Sequence, residues 1–583
     1  LSKAAQPAQL RTTAPWLPGR LLQSVPPLVA LLLAGPVLAG LAGVVLPAFG
    51  YLPDLGGTGL SLQPLRVLLD QPGLATSAAL SLAGGLVTAA VALLGVLGLL
   101  AATAGTRKLA LLQQGLAPLL AVPHAAAAVG LAVLLAPSGM LMRLAALPLG
   151  FDRPPDYLFP HDPFGLALMA GLIAKEMPFL LLVAIAALPQ AEPERRLRLA
   201  RSLGYGRIAG FTLAVWPSVY RQIRLPVFAV IAYGTAVVDV AAILGPSAPA
   251  TLAVRITGWM NDPDLSRRFI AAAGALLQLG VTAVALIVWR GIEVLAGGLS
   301  LHLAAAGTRL PHDRSLRRLV ILPALIAAAA LIAGLFAVML WSFAAVWRFP
   351  DLLPDRLTLA TWTRTLPAAL RPLGTSLAVG AASSTVALVL VIANLEALRR
   401  RHLASLEGSD VPAYLTVALA LPLIVPQIAF LFGLETGFLA LGLSPSLPLL
   451  ISVHLVFVIP YVALALADPW FALDPRYEQI AASLGRRPLA VLLRLRLPML
   501  LGPLATALAV GFAVSVGQYL PSLIVGAGRL PTITTEAVAL ASGGDRRIIG
   551  VYAVLQAALP LLAFALAASL PALRHAGRRG MRA

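Results

Sequence analysis

Residues Arg476–Pro498 read RYEQIAASLGRRPLAVLLRLRLP, and residues Arg195–Pro217 read RRLRLARSLGYGRIAGFTLAVWP. Each is a basic, partly apolar stretch set between long hydrophobic segments. Ser202 and Ser483, Leu203 and Leu484, Gly204 and Gly485, and Pro217 and Pro498 all stand 281 positions apart. In each copy a small-residue helical stretch runs to a Leu-Gly stop and restarts as a second helix that ends near proline. Glycine supplies the left-handed cap and proline cannot continue a helix, so the pattern predicts two short helices joined at a glycine, occurring twice along the chain.

Of the 583 residues, 59% are hydrophobic and 11% charged, with a mean hydropathy of +0.90. A chain of that composition is a polytopic membrane protein rather than a soluble domain. The formal charge of +19 does not point to nucleic acid, because aromatic residues do not interleave with the arginines, which lie between apolar spans. Topology explains them better. With no cysteine in the chain, disulfides and thiolate metal sites are excluded.

Crossing about 30 Å of hydrocarbon takes roughly 20 apolar residues. Twelve stretches qualify, near 27–49, 74–102, 109–136, 164–188, 224–247, 269–289, 319–347, 373–398, 412–443, 447–468, 500–527 and 548–573. With both termini in the cytoplasm, 28 Lys and Arg fall on the inner side and 13 on the outer, as the positive-inside rule requires. Both basic stretches then lie inside. The first span follows Lys3, Arg11 and Arg20 and is longer than a signal-peptide core, so it is expected to be a retained helix.

Further landmarks recur. Pro53, Asp54 and Leu55 answer Pro350, Asp351 and Leu352; Thr76 and Ser77 answer Thr375 and Ser376; Pro123 and Gly130 answer Pro426 and Gly433; Pro178 answers Pro460; Gly245 answers Gly526; Thr251 answers Thr532. The offset drifts from 297 to 303 and settles near 281, which places insertions mainly in loops. The expected organisation is an all-α membrane protein of two fused six-span halves in parallel orientation. It comprises a cytoplasmic tail 1–26, a first repeat 27–290 with the loop 192–217, a cytoplasmic linker 291–318, a second repeat 319–573 with the loop 474–498, and a cytoplasmic tail 574–583. Pro118, Pro123, Pro422 and Pro426 stand inside spans, where proline kinks a helix or frees carbonyls.

The two basic stretches resemble the hallmark loop of the permease subunits of binding-protein-dependent ABC importers, which reads EAA, three residues, Gly, nine residues, then I-x-L-P. In the second copy Glu478, Gln479, Ile480 and Ala481 surround the EAA position, Gly485 is in register, and Leu495, Leu497 and Pro498 close the motif. The first copy keeps the Gly-to-Pro spacing but carries Arg198, Leu199 and Ala200 in place of EAA, and Ala214 and Trp216 before Pro217. Fused permeases for ferric iron and for thiamine share the twelve-span layout, and WRFPDLLPD and GQYLPSLIVGAGRLPTITTEAVAL look closest to an uncharacterised fused subfamily near them. The resemblance implies the type I (MetI-like) permease fold. It also implies a dimer of separate ABC ATPase subunits, an extracytoplasmic substrate-binding protein, and a multi-pass location in a bacterial inner membrane.

On that reading Ala200, Ser202, Gly204, Arg207 and Pro217 of the first loop, and Glu478, Ala481, Ser483, Gly485, Arg486, Arg487 and Pro498 of the second, form the ATPase-coupling surface. Small residues let a partner's backbone approach, and the arginines are placed to pair with its acids. The bland alternative is a pair of basic loops lying on anionic headgroups. No G-x-x-x-x-G-K-[ST] occurs, so ATP and Mg are expected on the partner and no cofactor or metal on this chain.

Polar groups inside spans are costly and hence candidates for the substrate path. They are His124, Glu176, Asp239, Gln427, Glu435, Gln518 and Tyr519. Lys175 adjoins Glu176, but neighbours on a helix point about 100° apart, so each is expected to meet a different segment. His124 and Gln427 follow the matched prolines and either face the path or satisfy carbonyls freed by the kinks. Three buried acids against one Lys suggest a small cationic substrate; thiamine-like, ferric and other solutes stay open. The competing class is an ion-gradient-driven secondary transporter, whose G-x-x-x-D-R-x-G-R loop would stand where ATAGTRKL is found. No H-E-x-x-H, G-x-S-x-G or clustered His supports an enzyme.

Overall fold

A computed structural model describes residues 19–404 and 411–574. The expected tails fall largely outside these: residues 1–18 and 575–583 are not among the described ones. The described residues form helices and no β-strand, with only two isolated bridges, Leu52–Gly57 and Ala344–Leu357. Up to residue 305 the principal helices are α1 (Gly19–Ala48), α2 (Leu74–Thr103), α3 (Arg107–Ala121), α4 (His124–Leu135), α5 (Leu166–Ala187), α6 (Pro193–Ser202), α7 (Trp216–Ala236), α8 (Asp239–Leu244) and α9 (Arg267–Ala305). There follow α10 (Leu322–Phe343), α11 (Ala360–Ala404), α12 (Ala413–Ile424), α13 (Gln427–Ala440), α14 (Leu447–Ala472), α15 (Arg476–Ser483), α16 (Leu501–Gly517), α17 (Leu520–Gly526) and α18 (Arg546–Arg574).

Nine helices among the described residues are long and apolar enough to cross a membrane, and two sharply bent pairs raise the number to eleven. Twelve continuous spans were expected, and the difference lies where the chain breaks. The stretch expected at 109–136 stops at Val122 and Pro123, so the helix long enough to cross there runs His124–Leu149. In the stretch 412–443, α12 and α13 meet at 98° around Val425 and Pro426. Proline lacks a donor and drives its predecessor out of the helical region, and Val122 (ψ 125°) and Val425 (ψ 125°) are both extended. The stretch expected at 224–247 is absent from the set. There α7 carries Arg221 and Arg224 and ends at Ala236, before the short α8.

Hydropathy could not show which helices pack together. Helix α1 lies on α13, with Gly40 against Phe430 and Gly43 against Gly433. Helix α10 lies on α4, with Gly130 against Gly334. Gly130 and Gly433 are the positions that the sequence offset pairs, and each receives a helix from a distant part of the chain, α10 at Gly130 and α1 at Gly433. Small residues permit this backbone approach, which is a principal source of cohesion between helices in lipid. A further tie is the buried Arg143, whose guanidinium donates to Arg348 O (2.6 Å) and Asp351 O (2.5 Å) and stacks 4.7 Å from the Trp347 ring centroid.

Candidate functional site

The two basic loops fold alike because their SLG signatures do the same backbone work. In the first, Gly204 (φ +82°) ends α6; its N–H donates to Arg201 O (2.9 Å) and that of Tyr205 to Ala200 O (3.0 Å). In the second, Gly485 (φ +70°) ends α15; its N–H donates to Ala482 O (2.9 Å) and that of Arg486 to Ala481 O (3.1 Å). This paired capping satisfies the last carbonyls of a helix and needs a left-handed residue, which glycine adopts without a Cβ penalty. After each glycine comes a one-turn helix, Arg207–Gly210 or Pro488–Val491, and then a π-helical segment, Phe211–Val215 or Leu492–Arg496. Ser202 and Ser483 make the same bond to the carbonyl three residues back, at 2.8 Å in both cases.

The candidate coupling residues differ in what they present. Ser202, Gly204, Pro217, Ser483, Gly485, Arg486 and Arg487 are exposed; Ala481 and Pro498 are half-buried and Ala200 is buried. Arg207 is turned to its own protein, donating to Ala101 O (3.0 Å) and Ala104 O at the end of α2. Burial, with Arg201 and Arg317 nearby, lowers the Arg207 pKa, but a guanidinium stays charged. Glu478 also faces inward, 2.9 Å from Arg399 Nη2 and 3.1 Å from Arg496 Nε. The first loop is strapped by the segment between α9 and α10: Gly206 N donates to Arg309 O (2.7 Å) and Ile208 N to Asp313 Oδ2 (2.7 Å). Sequence reasoning missed Asp313, Glu396, Arg399 and Arg496, whose charges resemble ordinary positive-inside decoration and its counterions.

The second group of candidates gathers at the helix breaks. His124 Nε2 lies 2.9 Å from Glu176 Oε1, and its ring centroid is 4.9 Å from that of Tyr233. Tyr233 lies near Asp239, which opens α8 after the break at Val237. Tyr519 lies within range of the Asp239 charge and Tyr461 within range of Glu176. Gln427 Nε2 approaches Gln518 Oε1 at 3.5 Å. Glu176 and Asp239 are each 6% exposed, while His124, Tyr233, Gln427, Tyr461, Gln518 and Tyr519 are half-buried.

Lys175 forms no direct ion pair with Glu176, although it lies close enough for their charges to interact. Its ammonium donates to Leu119 O and Leu120 O, both at 3.0 Å, and so satisfies carbonyls that the break before Pro123 frees. Glu435 stands apart, within range of Arg268. His454, overlooked in the sequence, is buried between Ser515 Oγ (2.8 Å) and Ser522 Oγ (3.2 Å). Among the described residues no three His, Asp or Glu side chains converge as a metal site.

A polytopic helical bundle with two matched exposed elbows and a polar interior at its helix breaks has a curated relative. The inner membrane ABC transporter permease protein YnjC of Escherichia coli (strain K12) is 31% identical over 469 residues, which cover 80% of this chain and 82% of that protein. This chain belongs to the ABC transporter permeases. No family model matches it. The permease is thus a membrane-embedded transport subunit that works with an ATPase partner. Its elbows and its interior cluster are the two places where such a subunit could meet a motor and a cargo.

Proposed function

We propose that this permease forms the translocation path of an ATP-driven importer in the inner membrane, with the elbow-bearing end and both termini in the cytoplasm. The two loops dock on a dimer of ATPase subunits, and an extracytoplasmic binding protein delivers the substrate to the opposite end. ATP and Mg belong to the ATPase. The observation that carries this reading is the matched Schellman turn at Gly204 and Gly485, which leaves the faces around Ser202 and Ser483 open to a partner.

The path runs through His124, Glu176, Asp239, Gln427, Gln518 and Tyr519, at the breaks where helix backbone can rearrange. Diversion of Lys175 to backbone carbonyls leaves Glu176 and Asp239 to attract a cation, and the nearby tyrosines offer ring faces to an organic one. A thiamine-like cation fits this setting better than bare ferric iron, which calls for several hard donors at once. The test is purification from the native membrane: an ATPase and a binding protein carrying a small cation should accompany the permease. A bound neutral or anionic solute would refute the cation reading, and a complex without an ATPase would refute the importer.

A further inference from the structure

The internal offsets place five residues around the second elbow opposite five around the first. Glu478 and Arg496 answer Leu197 and Val215, Trp470 answers Leu188, and Glu396 and Arg399 answer Leu97 and Leu100, at offsets of 281, 282 and 299 respectively. In the first half all five are apolar; Leu100, Leu188, Leu197 and Val215 are buried in one cluster and Leu97 packs against it. The second half builds the same place from charge. Glu478 pairs with Arg399 (2.9 Å) and Arg496 (3.1 Å), and Glu396 pairs with Arg496 and with Arg400 (2.8 Å). Arg399 also donates to Trp470 O at 3.0 Å, and the Arg496 guanidinium lies 4.2 Å from the Trp470 ring centroid.

This hub joins four segments: the end of α11, the end of α14, the coupling helix α15 and the π-helical turn that leads into the next membrane helix. Stability does not explain it. A buried ionic network is commonly no more stable than well-packed apolar residues of similar volume, and the first half shows that this fold accepts an apolar set. The network is also imperfect, since Arg399 Nε and Arg496 Nη2 are buried without a hydrogen-bond acceptor. Such a junction is directional where a greasy one can slide.

We propose that Glu478, Arg399 and Arg496 are positioning residues for coupling: they lock the second coupling helix to the ends of α11 and α14, so that motion of the ATPase is passed to those helices. On this account the Glu478 carboxylate grips the permease itself and not the ATPase. The two ATPase subunits then drive unequal levers, a charged rigid one on the second half and an apolar, linker-strapped one on the first. The inference rests on the reading of both elbows as ATPase docks.

The test uses the complete complex of permease, ATPase and binding protein in lipid nanodiscs, with two readouts: the amount of ATPase that co-purifies, and the factor by which loaded binding protein stimulates hydrolysis. Glu478→Gln should retain the wild-type amount of ATPase while stimulation falls at least about fivefold, and Glu478→Asp should restore most of it. Grafting the first-half set, Glu396→Leu, Arg399→Leu, Trp470→Leu, Glu478→Leu and Arg496→Val together, should preserve the thermal midpoint and ATPase docking but not stimulation. Loss of ATPase from the Glu478→Gln complex would overturn the inference by making Glu478 a direct contact. A graft stimulated like wild type would overturn it by making the hub mere packing. A wild-type complex that shows no stimulation overturns the docking reading, and the inference with it.

Discussion

Gly130 of α4 and Gly334 of α10 meet backbone to backbone: a Cβ built on Gly130 would stand 2.9 Å from Gly334 C, and one on Gly334 would stand 2.8 Å from Gly130 C. Neither contact can yield by side-chain rotation. Gly130→Leu or Gly334→Leu should therefore destabilise the permease by about 1–3 kcal/mol through overpacking, read as a lower thermal midpoint in detergent. Leucine at Gly437, which has open space around it, should leave the midpoint unchanged.

Both elbow glycines have positive φ, so any side chain there costs about 1–2 kcal/mol of local strain. Space differs: nothing lies near a Cβ at Gly485, whereas one at Gly204 would touch the Arg309 side chain at 3.6 Å. The second elbow follows the family pattern more closely and is open to a partner. Gly485→Leu should lower ATP-driven uptake more than Gly204→Leu, and equal losses would contradict that order.

Glu176 and Asp239 are the buried acids of the interior cluster, and His124 lies against Glu176 at 2.9 Å. Replacing either acid by its amide, Glu176→Gln or Asp239→Asn, should reduce uptake by about tenfold, equivalent to about 1.4 kcal/mol, with the ATPase still bound. Loss of ATPase binding in either variant would show that the acids serve the fold and not the path.

Lys175→Met should behave differently. It removes two donors from Leu119 O and Leu120 O, so a cost of about 1–3 kcal/mol is expected for the orphaned carbonyls. The thermal midpoint should fall while the apparent affinity for transported substrate stays as in wild type.

Much of this was legible in the sequence, for local reasons. Alternation of apolar and basic runs located most of the membrane helices, the SLG signature foretold left-handed glycine turns, and Pro123 and Pro426 marked breaks because proline cannot donate within a helix. Helix geometry also foretold that Lys175 and Glu176 would each meet another segment. What sequence could not reveal is pairing at a distance. Nothing in the composition of α1 names α13 as its neighbour, and the charges of Glu396, Arg399 and Arg496 are indistinguishable in a sequence from those that merely set topology. Nine to eleven candidate spans among the described residues stand against twelve apolar stretches in the sequence, since hydropathy sums across a break that the backbone does not cross as one helix.

The central claim is that the matched elbows of this membrane subunit transmit the work of a separate ATPase. Its most direct test is uptake into proteoliposomes that hold the purified permease complex with its binding protein outside. The account expects uptake only when ATP is enclosed with the ATPase, and none when a proton or sodium gradient is the sole source of energy. Undiminished uptake in vesicles free of ATP, driven by such a gradient, would contradict it.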